Sequence, residues 1–304
     1  MKPAPDRRHS MQRRITALAA VSAAALALVL VGCSSDGGSG GGEASGPNGF
    51  GDCDLPGEAG SIELDPIVDG QLSVVTVLPN PGWWNGTTPE NLTDGFEMCM
   101  LADIAHRAGL EKMTIKVLSW DQYISGSFTD YDLGAVVTSI TEERKAIFTF
   151  SDPYYTSNRS VTVQKDSKYD ETNIRDAKIG TIQSTTNSKW LTDVLKPTQD
   201  LALFSDGPEM FAALAAGQVD AIVTDTETAL TQSKPYADQL EIIGQWKADD
   251  DWGMVMPLDT PNVDAVNEAL AAMKADGTMD FLSEKYLAPL FGIDPASIRF
   301  LDAP

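Results

Sequence analysis

From residue 72 onward, short apolar runs of β-type composition alternate with stretches whose apolar positions recur every three to four residues. Residues 72–77, 113–118, 133–137, 161–164, 178–182, 219–223, 240–243 and 252–256 read as strands. Residues 96–108, 187–195, 209–216, 226–233, 263–275 and 279–287 read as helices. Pro208 can open one of these helices, and Gly109, Gly217 and Gly277 can each close one. Strand–helix alternation along the whole span predicts an α/β chain with largely parallel sheets covered by helices. A core of that length is generous for one sheet, so the pattern predicts two lobes.

The first residues break this pattern. Lys2, Arg7, Arg8, Arg13 and Arg14 precede an almost unbroken apolar run, residues 15–31, which ends at Leu30-Val31-Gly32-Cys33. A basic start, an apolar middle and a small residue before the break predict an export signal over residues 1–32. Leu-Val-Gly-Cys resembles the lipobox of bacterial lipoproteins. That resemblance implies a lipid on Cys33 and a chain anchored outside the cytoplasm through that lipid alone. Residues 33–60 begin rich in Gly and Ser and are predicted to be a flexible tether, with an r.m.s. reach of roughly 30 Å.

Charge narrows the class. The chain carries a formal −22, and its leader holds five basic residues against one acid, so the remainder is more negative still. Nucleic acid and anionic lipid surfaces, both bound through basic patches, are therefore poor partners. Cys53 and Cys99 remain as an even pair in an oxidising compartment, which favours a disulfide; two unrelated thiols are the alternative. The two histidines, His9 and His106, and the scattered cysteines match no metal spacing and no catalytic triad. No metal and no cofactor are expected.

The motifs with chemical content stand in a fixed order. Trp83-Trp84 follows the opening strand, and Trp120 opens Trp-Asp-Gln-Tyr. Ser139-Ile-Thr-Glu-Glu-Arg144 places an arginine just after a Ser/Thr-rich turn, followed by Phe150-Ser-Asp-Pro-Tyr-Tyr155. Ile179 to Thr186 leads from a strand into a helix, and Gly217-Gln-Val-Asp-Ala leads through a strand to Asp225. An arginine held in such a turn can grip a carboxylate through two parallel hydrogen bonds, which a lysine cannot do.

With Gly95-Phe-Glu and Ala275-Asp-Gly-Thr, these segments resemble the family 3 solute-binding proteins, amino-acid receptors of ABC importers. The resemblance covers about residues 70–287. It implies a type II periplasmic-binding-protein fold, two α/β lobes joined by two hinge crossings. Lobe 1 would comprise residues 61–157 plus 254–304 and lobe 2 residues 158–253. It further implies that Arg144 takes a ligand α-carboxylate with donors from Ser139 and Thr186, and that Asp225 accepts from the α-ammonium. Trp120 and one or both of Trp83 and Trp84 would form an aromatic platform. Each has a plainer alternative: a surface arginine, helix N-caps at Thr186 and Asp225, and core tryptophans.

Two departures shape the ligand expectation. Members for basic amino acids carry an acid after the first strand, where this chain has Thr76-Val77-Leu78. The position two before Ser139 is Val137, which lacks a polar side chain. A polar or acidic amino acid, glutamine- or glutamate-like, is therefore expected, delivered by a monomer to a permease. The expected protein is not an enzyme. The rivals are a prephenate- or arogenate-type dehydratase, for which Glu227 is the one carboxyl to name though it reads as exposed, and a sensor lipoprotein without a transport role.

Overall fold

The computed structural model describes residues 42–43 and 49–304. The leader, Cys33 and most of the glycine-rich stretch lie outside the described residues. No described helix is long and apolar enough to cross a membrane.

The chain opens with β1 (Gly42–Glu43) and β2 (Gln71–Thr76), followed by α1 (Phe96–Arg107) and β3 (Lys112–Val117). Then come α2 (Trp120–Ile124), β4 (Leu133–Gly134), α3 (Glu142–Lys145) and β5 (Thr149–Phe150). β6 (Tyr155–Gln164) leads into β7 (Ile179–Ile182), α4 (Thr186–Trp190), β8 (Ala202–Phe204) and α5 (Gly207–Ala215). β9 (Ala221–Asp225) and α6 (Thr226–Gln232) follow. β10 (Leu240–Trp252) returns to β11 (Val255–Met256), α7 (Val263–Ala275), α8 (Thr278–Leu282) and α9 (Ala288–Phe291).

Two sheets result, in the orders β1-β3-β2-β4-β11-β5 and β10-β6-β9-β7-β8. The two-lobed α/β architecture expected from sequence is what forms. The sheets are mixed rather than largely parallel: β2 runs parallel to β3 and β4, whereas β11 runs antiparallel to its neighbours. In the second sheet β7 is parallel to β8 and β9, and β6 is antiparallel to both β9 and β10. β6 and β10, antiparallel to each other, carry the chain between the sheets, out on β6 and back on β10.

Those two strands pair side by side at the crossing, Tyr155 opposite Trp252 and Ser157 opposite Asp250. Sequence reading divides this return into two short strands because the polar run Lys247 to Asp251 hides it; the run forms an irregularity that leaves β10 continuous. Aromatic rings pack at the crossing. Tyr155 stacks on Trp252 with centroids 5.2 Å apart, and Trp83 meets both edge-on.

Two boundaries differ from expectation. Residues 49–60 are packed, not tethered: Phe50 is buried and Leu55 lies against the first core. The Asp52 N–H donates to Thr93 O, and Cys53 is bonded to Cys99 at the start of α1. At the other end, residues 299–301 leave the first lobe. The Gln245 N–H donates to Arg299 O, the Leu301 N–H donates to Gln245 O, and Leu301 joins the second lobe's core. An extended apolar tail finds an open strand flank there.

Candidate functional site

Between the sheets lies a cavity of about 100 Å³. Val77, Leu78, Trp120, Val137, Ser139 and Arg144 line it from the first lobe. Ile182, Thr186, Asp206, Asp225, Thr228 and Gln232 line it from the second.

Arg144 is positioned by its own short helix. Thr141 caps α3 by accepting from the Arg144 N–H, which fixes the turn from which the guanidinium projects. The side chain is 8% exposed. Its Nη1 donates to Ser139 O at 2.9 Å and its Nη2 to Ser184 O, on the other lobe, at 3.3 Å. Of five N–H donors, these two bonds engage only part of the fork, and Arg144 lines the cavity. Burial pulls its pKa down, Asp250 and Asp225 oppose this, and a guanidinium stays charged regardless.

Asp225 ends β9 and faces Arg144 across the cavity. It precedes α6 without making a cap hydrogen bond, so its carboxylate is not spent on the helix. Asn187 Nδ2 donates to it at 2.8 Å. Burial and the charge of Asp250 push its pKa up, while Asn187, Arg159 and Arg144 hold it down. Thr186 is likewise not the cap of α4; Thr185 is. The Thr186 hydroxyl sits 3.3 Å from Ser139 Oγ of the opposite lobe.

Trp120 is half-buried at the cavity wall, stacked on Tyr123. Its Nε1 donates to Gln183 O across the cleft at 2.9 Å, and Gln183 Nε2 answers to Asp121 at 2.8 Å. With the Arg144–Ser184 bond, these contacts hold the two lobes together over the cavity. Trp83 and Trp84 are a correction. Both are fully buried in the first lobe's core. Trp83 packs into the crossing, and Trp84 Nε1 donates to Glu97 and to Ala135 O. Of the three, Trp120 alone lines the cavity.

Several residues at the cleft carry no clear mark in the sequence. Asp250, inside an acidic run that reads as solvated surface, accepts from Ser139 and Thr186. Arg159 on β6 donates to Asn187 Oδ1 at 2.8 Å and stacks 4.6 Å over Trp190. Glu97 is buried beneath the site. Its carboxylate accepts from the Val137 N–H at 2.7 Å, from Trp84 and from the Tyr154 hydroxyl. That bond holds Val137 at φ 42, a left-handed conformation unusual for a β-branched residue. Desolvation lifts Glu97 to about 7. The Gly95-Phe-Glu motif was the available signal.

Glu227 is 3% exposed, not a surface residue. Tyr155 and Ser157 of β6 donate to it. Burial raises it to about 7. It faces the crossing strand and does not line the cavity. Among the described residues no cluster of His, Cys, Asp and Glu could hold a metal ion.

The family model for bacterial extracellular solute-binding proteins, family 3, matches residues 82–289. An L-cystine-binding protein of Escherichia coli K12 is 29% identical over 206 residues, covering 66% of this chain and 75% of that protein. A glutamate-binding protein of Corynebacterium glutamicum is 26% identical, covering 79% of this chain and 88% of that protein. Among solved structures, an ancestral arginine-binding protein bound to arginine superposes with a TM-score of 0.64 at 29% identity, covering 71% of this chain and 98% of that one.

Proposed function

The chain belongs to family 3 of the bacterial extracellular solute-binding proteins, and we propose that it captures one small amino acid in the cavity between its lobes for delivery to an ABC permease. The observation that carries this reading is the presence of Arg144 from one lobe and Asp225 from the other in the lining of one cavity. A zwitterion presents a carboxylate to the first and an ammonium to the second, and only a closed cleft satisfies both. Ser139 and Thr186 add hydroxyl donors near the carboxylate. Trp120 offers its face to the side chain.

The lining favours a polar, uncharged side chain over an acidic one. Arg144 is the one cation among the described residues that line the cavity, and the α-carboxylate takes it. A second carboxylate would meet Asp206 and the amide of Gln232 with no positive partner, at a desolvation cost. Basic side chains gain no carboxylate at Val77 and Leu78, the slot noted in the sequence, and Asp206 already accepts from the Glu209 N–H as the N-cap of α5. Glutamine therefore fits better than glutamate.

The dehydratase alternative weakens with the position of Glu227, since an acid catalyst must reach the substrate. We further propose that the lipid on Cys33 keeps the protein at the membrane, and that it works as a monomer.

The test is calorimetry on Arg144→Ala, after a thermal-shift screen of the twenty amino acids and cystine has found the ligand. The variant should melt as a folded protein and bind at least about 100-fold more weakly, because truncation strands the ligand's buried carboxylate. Arg144→Lys should recover only part, having no fork. Unchanged affinity in Arg144→Ala removes the assignment.

A further inference from the structure

A carboxylate already sits beside the cavity: Asp250 lines the adjoining groove, which shares Thr186 with the cavity. Ser139 Oγ comes from one lobe and Thr186 Oγ1 from the other, and each hydroxyl has a single proton to donate. Both are directed to Asp250: its Oδ2 accepts from Ser139 at 2.9 Å and from Thr186 at 3.1 Å. Asp250 reaches this position from β10, where it pairs with Ser157 at the lobe crossing. A ligand carboxylate held by Arg144 and these hydroxyls needs the same two protons.

Building on the reading that the cleft takes a zwitterionic amino acid, we propose that Asp250 holds the place of the ligand's carboxylate on Ser139 and Thr186, so that capture displaces it and is linked to proton uptake. The groups around Asp250 set the sign. Burial raises its pKa; the Ser139 and Thr186 hydroxyls, Arg159 of β6 and Arg144 of α3 favour its charged form, and Asp225 at the end of β9 opposes it. Lys145 and Asp152 line the groove on its outer side, with its own neighbours Asp249 and Asp251. On capture Asp250 loses two hydroxyl donors and gains a second anion nearby. Both changes raise its proton affinity. The bound state therefore holds the proton more tightly, and affinity rises as pH falls through that titration. Asp225 works in the opposite direction, since a ligand ammonium favours its charged form and drives a proton off.

Asp250→Asn separates the two. The amide donates to the hydroxyl oxygens and leaves both hydroxyl protons for the ligand. The measurement is calorimetry with L-glutamine, or with L-cystine where glutamine gives no heat, at pH 6 and pH 8 in buffers of different ionisation enthalpy. The variant should bind about tenfold more tightly than the native chain at pH 8. It should also take up fewer protons per ligand, by at most about one. Asp250→Ser, which also lacks the charge, should show the same loss of proton uptake should the asparagine variant fold poorly. Unchanged or weaker binding with unchanged proton uptake overturns the inference and leaves the amino-acid-binding reading standing. A native chain that binds none of the amino acids overturns both.

Discussion

At the scale of single residues, the chain buries acids where it needs positions fixed. Glu227 illustrates the cost. Its pKa is raised to about 7 by burial, against an ordinary carboxylate value near 4.5. The folded state therefore binds a proton that the unfolded state has released between those values. Stability attributable to this group is present below about 4.5 and is lost as pH rises to about 7, amounting to roughly 3 kcal/mol. Glu97, also raised to about 7, adds to the same slope. Glu227→Gln can accept from the Tyr155 hydroxyl and donate to Ser157 Oγ, so it keeps the contacts without the charge. Its melting temperature should fall less between pH 5 and pH 8 than that of the native chain. Equal slopes in the two proteins would show that Glu227 is not the group that titrates. The same scale explains what the sequence revealed. Arg144, Ser139, Thr186 and Asp225 sit beside turns and helix starts, which leave a recognisable order of residue types. Tryptophan after a strand reads alike in a core and in a cleft, so Trp83 and Trp84 were indistinguishable from platform residues. Asp250 and Arg159 stand among polar neighbours, and only the pairing of β6 with β10 turns their side chains inward.

Secondary elements were legible in proportion to the apolar face they bury. α1 and α7 fall within a residue of their expected limits because their periodic faces pack on one core. β10 was legible only at its ends, since its middle carries the polar bulge and the cleft carboxylate. The segment before β2 was misread for a related reason: glycine and proline suggest a tether, but one disulfide and a few apolar anchors suffice to dock it. Cys53 and Cys99 are 46 residues apart in sequence, and closing a loop of that length lowers the unfolded chain's entropy by about 4 kcal/mol at 25 °C in the chain-entropy account. Replacing both by serine should reduce the unfolding free energy in guanidinium by up to that amount, and ligand affinity should change little because neither cysteine lines the cavity. A stability loss below about 1 kcal/mol would mean that the packing of Phe50 and Leu55 alone docks the segment.

At the scale of the molecule, function rests on the balance between open and closed lobes, which a ligand shifts only through contacts it makes better in one state. The structure adds a third strand of chain to the two crossings. α9 places Phe291 in the first lobe's core, whereas Leu301 sits in the second's. Between them Gln245 of β10 donates from Nε2 to the carbonyls of Pro295 and Ile298, and Trp246 Nε1 donates to Asp302 O. A tail fixed at both ends limits how far the lobes can part. Deleting residues 295–304 removes the second anchorage with both Gln245 Nε2 acceptors, uncovers the flank of β10 and leaves Trp246 Nε1 without its acceptor. The shortened chain should melt at a lower temperature, and its radius of gyration by solution X-ray scattering should exceed that of the full chain without ligand while matching it with saturating ligand. A more open resting state lowers the fraction ready to bind, so apparent affinity should weaken in the same proportion. If the two chains scatter alike without ligand, the tail stabilises the second lobe but does not restrain the hinge.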